Sequence, residues 1–540
     1  MRRSVPLGST SRVVPVLIAA LLLVAAVAPA AAGAATAADA PEQRQAAAPS
    51  PADPATDVLG WEDGYWHNES VSVDQSDGLS DAELRRYVAR GMARVEYLRR
   101  QEFQSRIPVD VISRERYRNR TAAGSGNRTE FNEWNDQVWE ALFIVGESTG
   151  SESQISQTTG SSVAGFYSPT NDQITIITPS PDSPTIDNAT LIHELTHALQ
   201  DQHYNLTRAR YRGQTQDGEL GINGVVEGEA NYIEAKYSAR CGGAWSCVKD
   251  APSSGGGGGG GGGGPNLGIL LTMLNPYSDG PVYVHDIVQR GGWSAFEKRF
   301  VNPPASSEQI IHLTDEKPRP ISFEDHARNG WKTFPKQGIN GSETTGEASM
   351  FAMFWYQART AQADTVNPQV LFETTKQYDT YNYDAAPTDG WANDRLFPYQ
   401  KGSGEDASYG YVWVTAWDTA DDAEEFYDTY LRMLEAHDVR RTDAGYYVVP
   451  DGQFADAFLV KLDGKRVTIV NGPSVSAVKN IRPNATPTST PTTPTPTTAT
   501  PGSATSGTAT DDATTTTGAG FGFLVAVVAV ALAGLLARRR

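Results

Sequence analysis

The sequence predicts an α+β protein, and three features of it carry that reading. Apolar residues recur at helical spacing in several stretches between residues 57 and 480. Short β-branched runs bounded by turn residues lie between some of them, and the last part of this region alternates strand, helix and strand patterns suited to an antiparallel sheet. About 420 residues of globular composition exceed what one compact core organises, so two or three subdomains are expected.

The chain opens Met1-Arg-Arg, runs through apolar residues from Val13 to Ala32 and reaches small residues near Gly33. This is the layout of an export signal, assigned to residues 1–38, followed by a disordered Ala/Pro/Gln-rich spacer at 39–56. In the first body, 57–250, Ser80-Asp-Ala-Glu83 is a capping box. It starts a helix running to about Phe103, with Leu84, Val88, Met92, Val95 and Leu98 on its buried face. Residues 109–112 read as a strand, 130–145 as a helix and 164–177 as a hairpin turning at 169–172. Asp187 or Asn188 caps the next helix, and 224–237 forms another that buries Val226, Ala230, Ile233 and Tyr237. Cys241 and Cys247 are the only cysteines, and in an exported chain a local disulfide is expected of them. Ten consecutive glycines at 255–264 make 251–266 a loop without fixed structure. A mostly helical subdomain follows at 267–400, with helices near 278–300 and 347–361. Residues 401–480 read as a small α+β module, with strands at 411–417, 445–449, 457–461 and 466–470 and a helix at 420–437. A Thr/Pro-rich stalk occupies 481–520, and an apolar membrane helix at 521–540 ends in Arg538, Arg539 and Arg540. Positive charge at that end places everything before it outside the cell.

The chemistry concentrates in Leu191-Ile-His-Glu-Leu-Thr-His-Ala-Leu199. His193 and His197 are four apart, so on a helix their imidazoles rise from one face and can reach the same ion. Glu194 is rotated about a quarter turn away, poorly placed as a third ligand but able to touch a water beside the ion. The spacing is that of the HExxH signature, in which zinc acidifies its water and the glutamate takes the proton. Leu191, Ile192, Leu195, Ala198 and Leu199 make this helix apolar almost all round, and polar groups inside such a helix demand a metal or polar partners. On the next helix Glu227 and Glu229 flank the buried stripe on opposite sides, and periodicity leaves open which of them faces the ion.

Together, His193-Glu-Leu-Thr-His197 and Glu227-Gly-Glu-Ala230 resemble the gluzincin class of metallopeptidases, to which thermolysin belongs. The likeness implies a zincin-like core of mixed sheet and active-site helices. It also implies a Zn2+ cofactor held by His193, His197 and Glu227, with Glu229 as the other choice, and Glu194 as general base. Peptide or protein substrates would pair as an extended strand against the strand before the metal helix. A later histidine or tyrosine would donate to the developing oxyanion, and His312 is the candidate. Where members of the class carry an aspartate four residues after the ligand to orient a histidine, this chain has Asn231. A narrower likeness, over residues 79–470, is to extracytoplasmic gluzincin-like proteins in a haloarchaeal surface branch. It rests on the run from His193 to His203, the Glu-Gly-Glu-Ala helix, Gly291-Gly-Trp293, Asn302-Pro-Pro, Ser307-Glu-Gln-Ile-Ile-His312, Gly346-Glu347 and Gly390-Trp-Ala-Asn-Asp-Arg395. The tail resembles the Pro-Gly-Phe sorting signals that archaeosortases process, with Ala519-Gly520-Phe521 in the corresponding place. The implied address is the outer face of the membrane, through the C-terminal helix or a lipid attached after tail removal.

Charge agrees with that address. The formal net charge is −19, and without the basic residues of the two ends 39 basic residues face 64 acidic ones. Such a surface disfavours nucleic acid and suits a protein solvated in high salt. Sequons at Asn68, Asn119, Asn127, Asn205, Asn340 and Asn484 are compatible with a glycoprotein. The reading of the sequence is a surface-anchored zinc metallopeptidase; its alternative is a catalytically degenerate surface binding or structural protein that keeps the same fold.

Overall fold

The computed structural model describes residues 52–122, 129–160, 163–250 and 264–486. The expected export signal, most of the spacer, glycine loop and stalk, and the C-terminal apolar helix lie outside the described residues. Among the described residues no helix is long and apolar enough to cross a membrane.

The protein is α+β. A short hairpin of β1 (Trp61–Glu62) and β2 (Tyr65–Trp66) precedes α1 (Asp81–Arg99). Ser80 caps α1 and exchanges hydrogen bonds with Glu83, as the capping box predicts, and the helix stops at Arg100 in the left-handed conformation, short of Phe103. Then come β3 (Val109–Ser113), α2 (Arg114–Ala122), α3 (Glu130–Ala141), α4 (Ser151–Gly160), β4 (Gly165–Ser168), β5 (Gln173–Thr178) and α5 (Asn188–Tyr204). Strand β5 is central in a three-stranded mixed sheet, parallel to β3 and antiparallel to β4. Val88, Met92 and Val95 of α1 pack with Leu191, Leu195 and Leu199 of α5 and with Ile174 and Ile176 of β5 in one core.

Helix α6 (Gln216–Ser238) starts two turns before the expected 224, capped by Thr215. Its early turns hold Gly218, Gly221 and Gly224, poor helix formers that hide the pattern from a periodicity reading. These glycines are packing devices. A Cβ on Gly228 would sit 2.6 Å from the carbonyl carbon of Gly280, so α6 lies backbone to backbone against α7 (Leu267–Val301). Helix α7 kinks at Gly292. After the single turn α8 (Ser307–Ile311), β6 (Lys332–Thr333) and α9 (Gly346–Thr360), the chain enters its second sheet. The further elements are β7 (Trp391–Lys401), β8 (Ser408–Trp417), α10 (Ala420–Glu435), β9 (Arg440–Arg441), β10 (Tyr447–Val448), β11 (Ala457–Asp463), β12 (Arg466–Gly472) and α11 (Val475–Ile481). The sheet has seven strands in the order β6-β7-β8-β12-β11-β10-β9, antiparallel throughout.

This arrangement corrects the expected boundaries. Strand β7 pairs with β8 along nearly its whole length, so the sheet module begins before residue 401. The 267–400 and 401–480 segments also share a core: Leu270 and Leu274 of α7 and Phe354 of α9 pack with Trp413, Phe426, Tyr430 and Ile469. Trp139 and Val138 of α3 join that core, although their sequence position falls within the first body. The pairing is long-range, and apolar spacing within one segment says nothing about which distant segment covers it.

Candidate metal centre

Asp187 caps α5 by accepting the backbone N–H of Thr190 at 2.8 Å, which fixes the start of the helix and the phase of its histidines. From one face of α5 come His193 and His197, whose Nε2 atoms lie 3.0 Å apart. Helix α6 crosses beneath and brings Glu227, whose Oε2 is 3.1 Å from His193 Nε2 and 3.2 Å from His197 Nε2. The three atoms form a nearly equilateral triangle. Zinc bonds of about 2.0–2.1 Å at tetrahedral angles separate ligand atoms by roughly 3.3 Å, so the donor types and their spacing fit that ion. Two neutral imidazoles and one carboxylate are also a donor set that zinc accepts.

The rings are held by partners on their far sides. Gln200 Oε1 lies 2.9 Å from His197 Nδ1 and can only accept, so Nδ1 carries the proton and Nε2 keeps its lone pair for the triangle. Gln200 is fixed in turn by donating to Val226 O and to Glu229 Oε2, both at 2.9 Å. Behind His193 stands Glu234, its Oε2 3.6 Å from Nδ1, too long for a hydrogen bond but the carboxylate that faces this nitrogen. Asn231, the residue expected to orient a histidine, instead leaves its buried Nδ2 without a partner. Glu234 lies two helical turns beyond Glu227 and so on the same face, a spacing the sequence contained.

The alternative left open by periodicity has a geometric answer. Glu229 makes a buried ion pair with Arg99 of α1 and accepts from Gln200, so its carboxylate is turned away from the triangle. Nothing in the sequence pattern marks Arg99 for this task, and Arg90 and Arg94 are equally buried on the same helix. The Cys241–Cys247 disulfide closes the loop after α6. Within that loop Ser246 O accepts from Arg90 Nη1 at 2.9 Å and Arg94 Nη2 at 3.0 Å.

Glu194 stands beside the triangle, fully buried. Its Oε2 accepts the backbone N–H of Tyr167, on the edge strand β4, at 2.6 Å, while its Oε1 is buried without a partner, as is Glu227 Oε1. Burial pushes the Glu194 carboxyl above its ordinary range, against the pull of His193 and His197. Burial opposes the charge on His193, but Glu227 and Glu234 outweigh it and raise the imidazole to about 10; Glu227 is correspondingly held far below the usual carboxylate range, chiefly by His197 and His193 against its own burial. Orphaned oxygens in so dry a site cost roughly 1–3 kcal/mol each unless a cation or water meets them.

His312 does not join this group. Its Nε2 lies 2.9 Å from Glu347 Oε1, and its other acidic neighbours are Asp384 and Asp389. It belongs to a buried polar hub that brings together several of the later sequence blocks. Asp217 accepts from Ser307 N and Oγ at 2.8 and 2.6 Å. Asp394 accepts from the backbone of Thr345 and Gly346 and from the indoles of Trp391 and Trp413. The hub anchors the start of α6, the helix that carries Glu227. From α7, Tyr277 lays its ring parallel to that of His193, with centroids 6.3 Å apart.

Residues 333–482, which span β6 to α11 and contain none of the triangle, match a family model described as a domain of unknown function, DUF8575. No curated protein and no solved structure matches the chain.

Proposed function

We propose that the protein is a zinc-dependent metallopeptidase with a zincin-like core, tethered to the outer face of the cell membrane by its C-terminal tail. The observation that carries this reading is the convergence of His193, His197 and Glu227 within 3.2 Å of one another, with a fourth acidic group, Glu194, beside them and one of its oxygens unpartnered. Zinc bound there supplies Lewis acidity and a water of lowered pKa. Glu194 takes a proton from the attacking water at Oε1, its Oε2 being steadied by Tyr167, and passes the proton to the departing amine nitrogen. The edge of β4 offers an extended peptide a strand to pair with. Tyr277, whose ring lies parallel to that of His193 with centroids 6.3 Å apart, is the side chain we assign to hydrogen-bond the developing oxyanion. Tyr277→Phe should then lower kcat at least tenfold without raising KM.

One observation favours a second reading, a binding or structural protein in which the metal ties α5 to α6. His193 and Glu194 are 0 % exposed, Glu227 1 % and His197 4 %, so a peptide reaches them only if the site opens. Zinc content and peptide-library cleavage in high salt separate the two. Zinc in both wild type and Glu194→Gln, with cleavage lowered 100-fold or more in the variant, supports the peptidase. Zinc in both with cleavage in neither supports the structural role. Unchanged zinc in Glu227→Ala removes the ligand set from either reading.

A further inference from the structure

A second group of metal-ligating side chains lies in the other half of the molecule. Glu140 at the end of α3, Glu147 in the loop that follows and Asp456 just before β11 bring one carboxylate oxygen each within 4.8 Å of one another. They line a cavity of about 680 Å³ that also receives Glu133 and Asp136, and no lysine, arginine or histidine is among its described lining residues. Glu140 and Asp456 are 5 % and 6 % exposed, so their charges have little water to solvate them. The independent pointer to a ligand is Gln137. This amide, 5 % exposed, donates from Nε2 to Glu140 Oε2 at 2.7 Å and presents a buried Oε1 that has no partner, on the wall of the same cavity. A carbonyl oxygen left bare on a residue that lines an acidic cavity is a ligand atom available to a cation.

We propose that Glu140, Glu147, Asp456 and the amide oxygen of Gln137 form a calcium site. The donor set is all oxygen, which favours a hard cation over zinc, and a spread of up to 4.8 Å suits the longer bonds and flexible coordination of calcium better than the strict octahedron of magnesium. Burial and mutual repulsion raise the carboxyls when they stand alone, Asp456 to about 8, and a divalent cation relieves both. The site also has a structural sense. Glu147 N already donates to Gln453 O at 3.0 Å, and the cation would fasten the end of α3 to the sheet module across more than 300 residues of sequence. The proposal is independent of the zinc reading.

The full chain, titrated with calcium chloride in calcium-stripped buffer, tests it by calorimetry and by thermal melting. One calcium per chain is expected, with a rise in melting temperature of about 3 °C at saturation. Glu140→Gln and Glu147→Gln should each weaken uptake at least tenfold, while Glu133→Gln, in the same cavity but outside the trio, and Glu227→Ala should retain it. Because Glu147 sits at the exposed rim, its variant keeps the test valid if Glu140→Gln fails to fold. No calcium uptake, uptake undiminished in both variants, or an equal shift from magnesium or from sodium chloride at matched ionic strength overturns the site.

Discussion

His193 and His197 were legible from their spacing, because four residues on a helix is a geometric statement before it is a chemical one. The supports around them were less so. Gln200 sits one turn beyond His197 and fixes its tautomer, yet a glutamine at that spacing is ordinary on any helix. Asn231 drew attention by likeness, whereas the carboxylate behind His193 is Glu234. Removing its charge should weaken metal binding at the proposed site and leave the fold intact. Glu234→Gln is expected to lower zinc affinity roughly tenfold or more, and Asn231→Asp to change it far less; competition against a zinc chelator gives both values. Arg99 shows where sequence reasoning stops. Its ion pair engages Glu229 away from the triangle, but the partner lies 130 residues away and no local pattern announces it.

At the level of elements, the helices and strands that carry the chemistry followed their capping residues and periodicities, and the misplacements have physical causes. The start of α6 is masked by glycines whose value is tertiary: Gly221 against the backbone of Ser306, and Gly224 against Ile310. Strand β7 was overlooked because most of its residues are buried and its inward and outward positions hardly alternate. Close packing of α6 on α7 predicts a sharp response to one methyl group. Gly228→Ala places a Cβ 2.6 Å from the Gly280 carbonyl carbon and should cost about 2 kcal/mol of stability. Zinc affinity should fall with it, since Glu227 is the preceding residue on the displaced helix. Denaturant unfolding and a zinc titration of the same sample measure the two effects.

The whole molecule is knit by buried carboxylates, and its stability should therefore depend on pH in a particular direction. Burial raises Asp217 to about 7 and Glu343 to about 8, with Asp394 adding repulsion to both, while Ser307 partly offsets the effect at Asp217. Each group binds a proton in the folded state at a pH where the unfolded chain has released it. Their contribution is complete below about pH 4 and is lost as pH rises through 7 to 8. Relative to wild type, Asp217→Asn should gain roughly 2–4 kcal/mol between pH 4 and 8, because the amide imitates the protonated acid; melts across that range at constant high salt read the difference. None of this clustering was visible in composition, which reported a net negative charge but not that many of the acids lie inside.

The small covalent ring after α6 has a practical side. Its Ser246 carbonyl is an acceptor that two interior guanidiniums of α1 share, so the shape of a seven-residue loop bears on how those cations are held. Opened by reductant, the ring is free to swing away, which takes from Arg90 the acceptor of its Nη1 and leaves Arg94 with His67 O and Glu69 O. Material produced in a thiol-rich cytosol would thus start with its first long helix poorly seated, and an oxidising host, or refolding with a glutathione couple, is the sounder route to homogeneous protein.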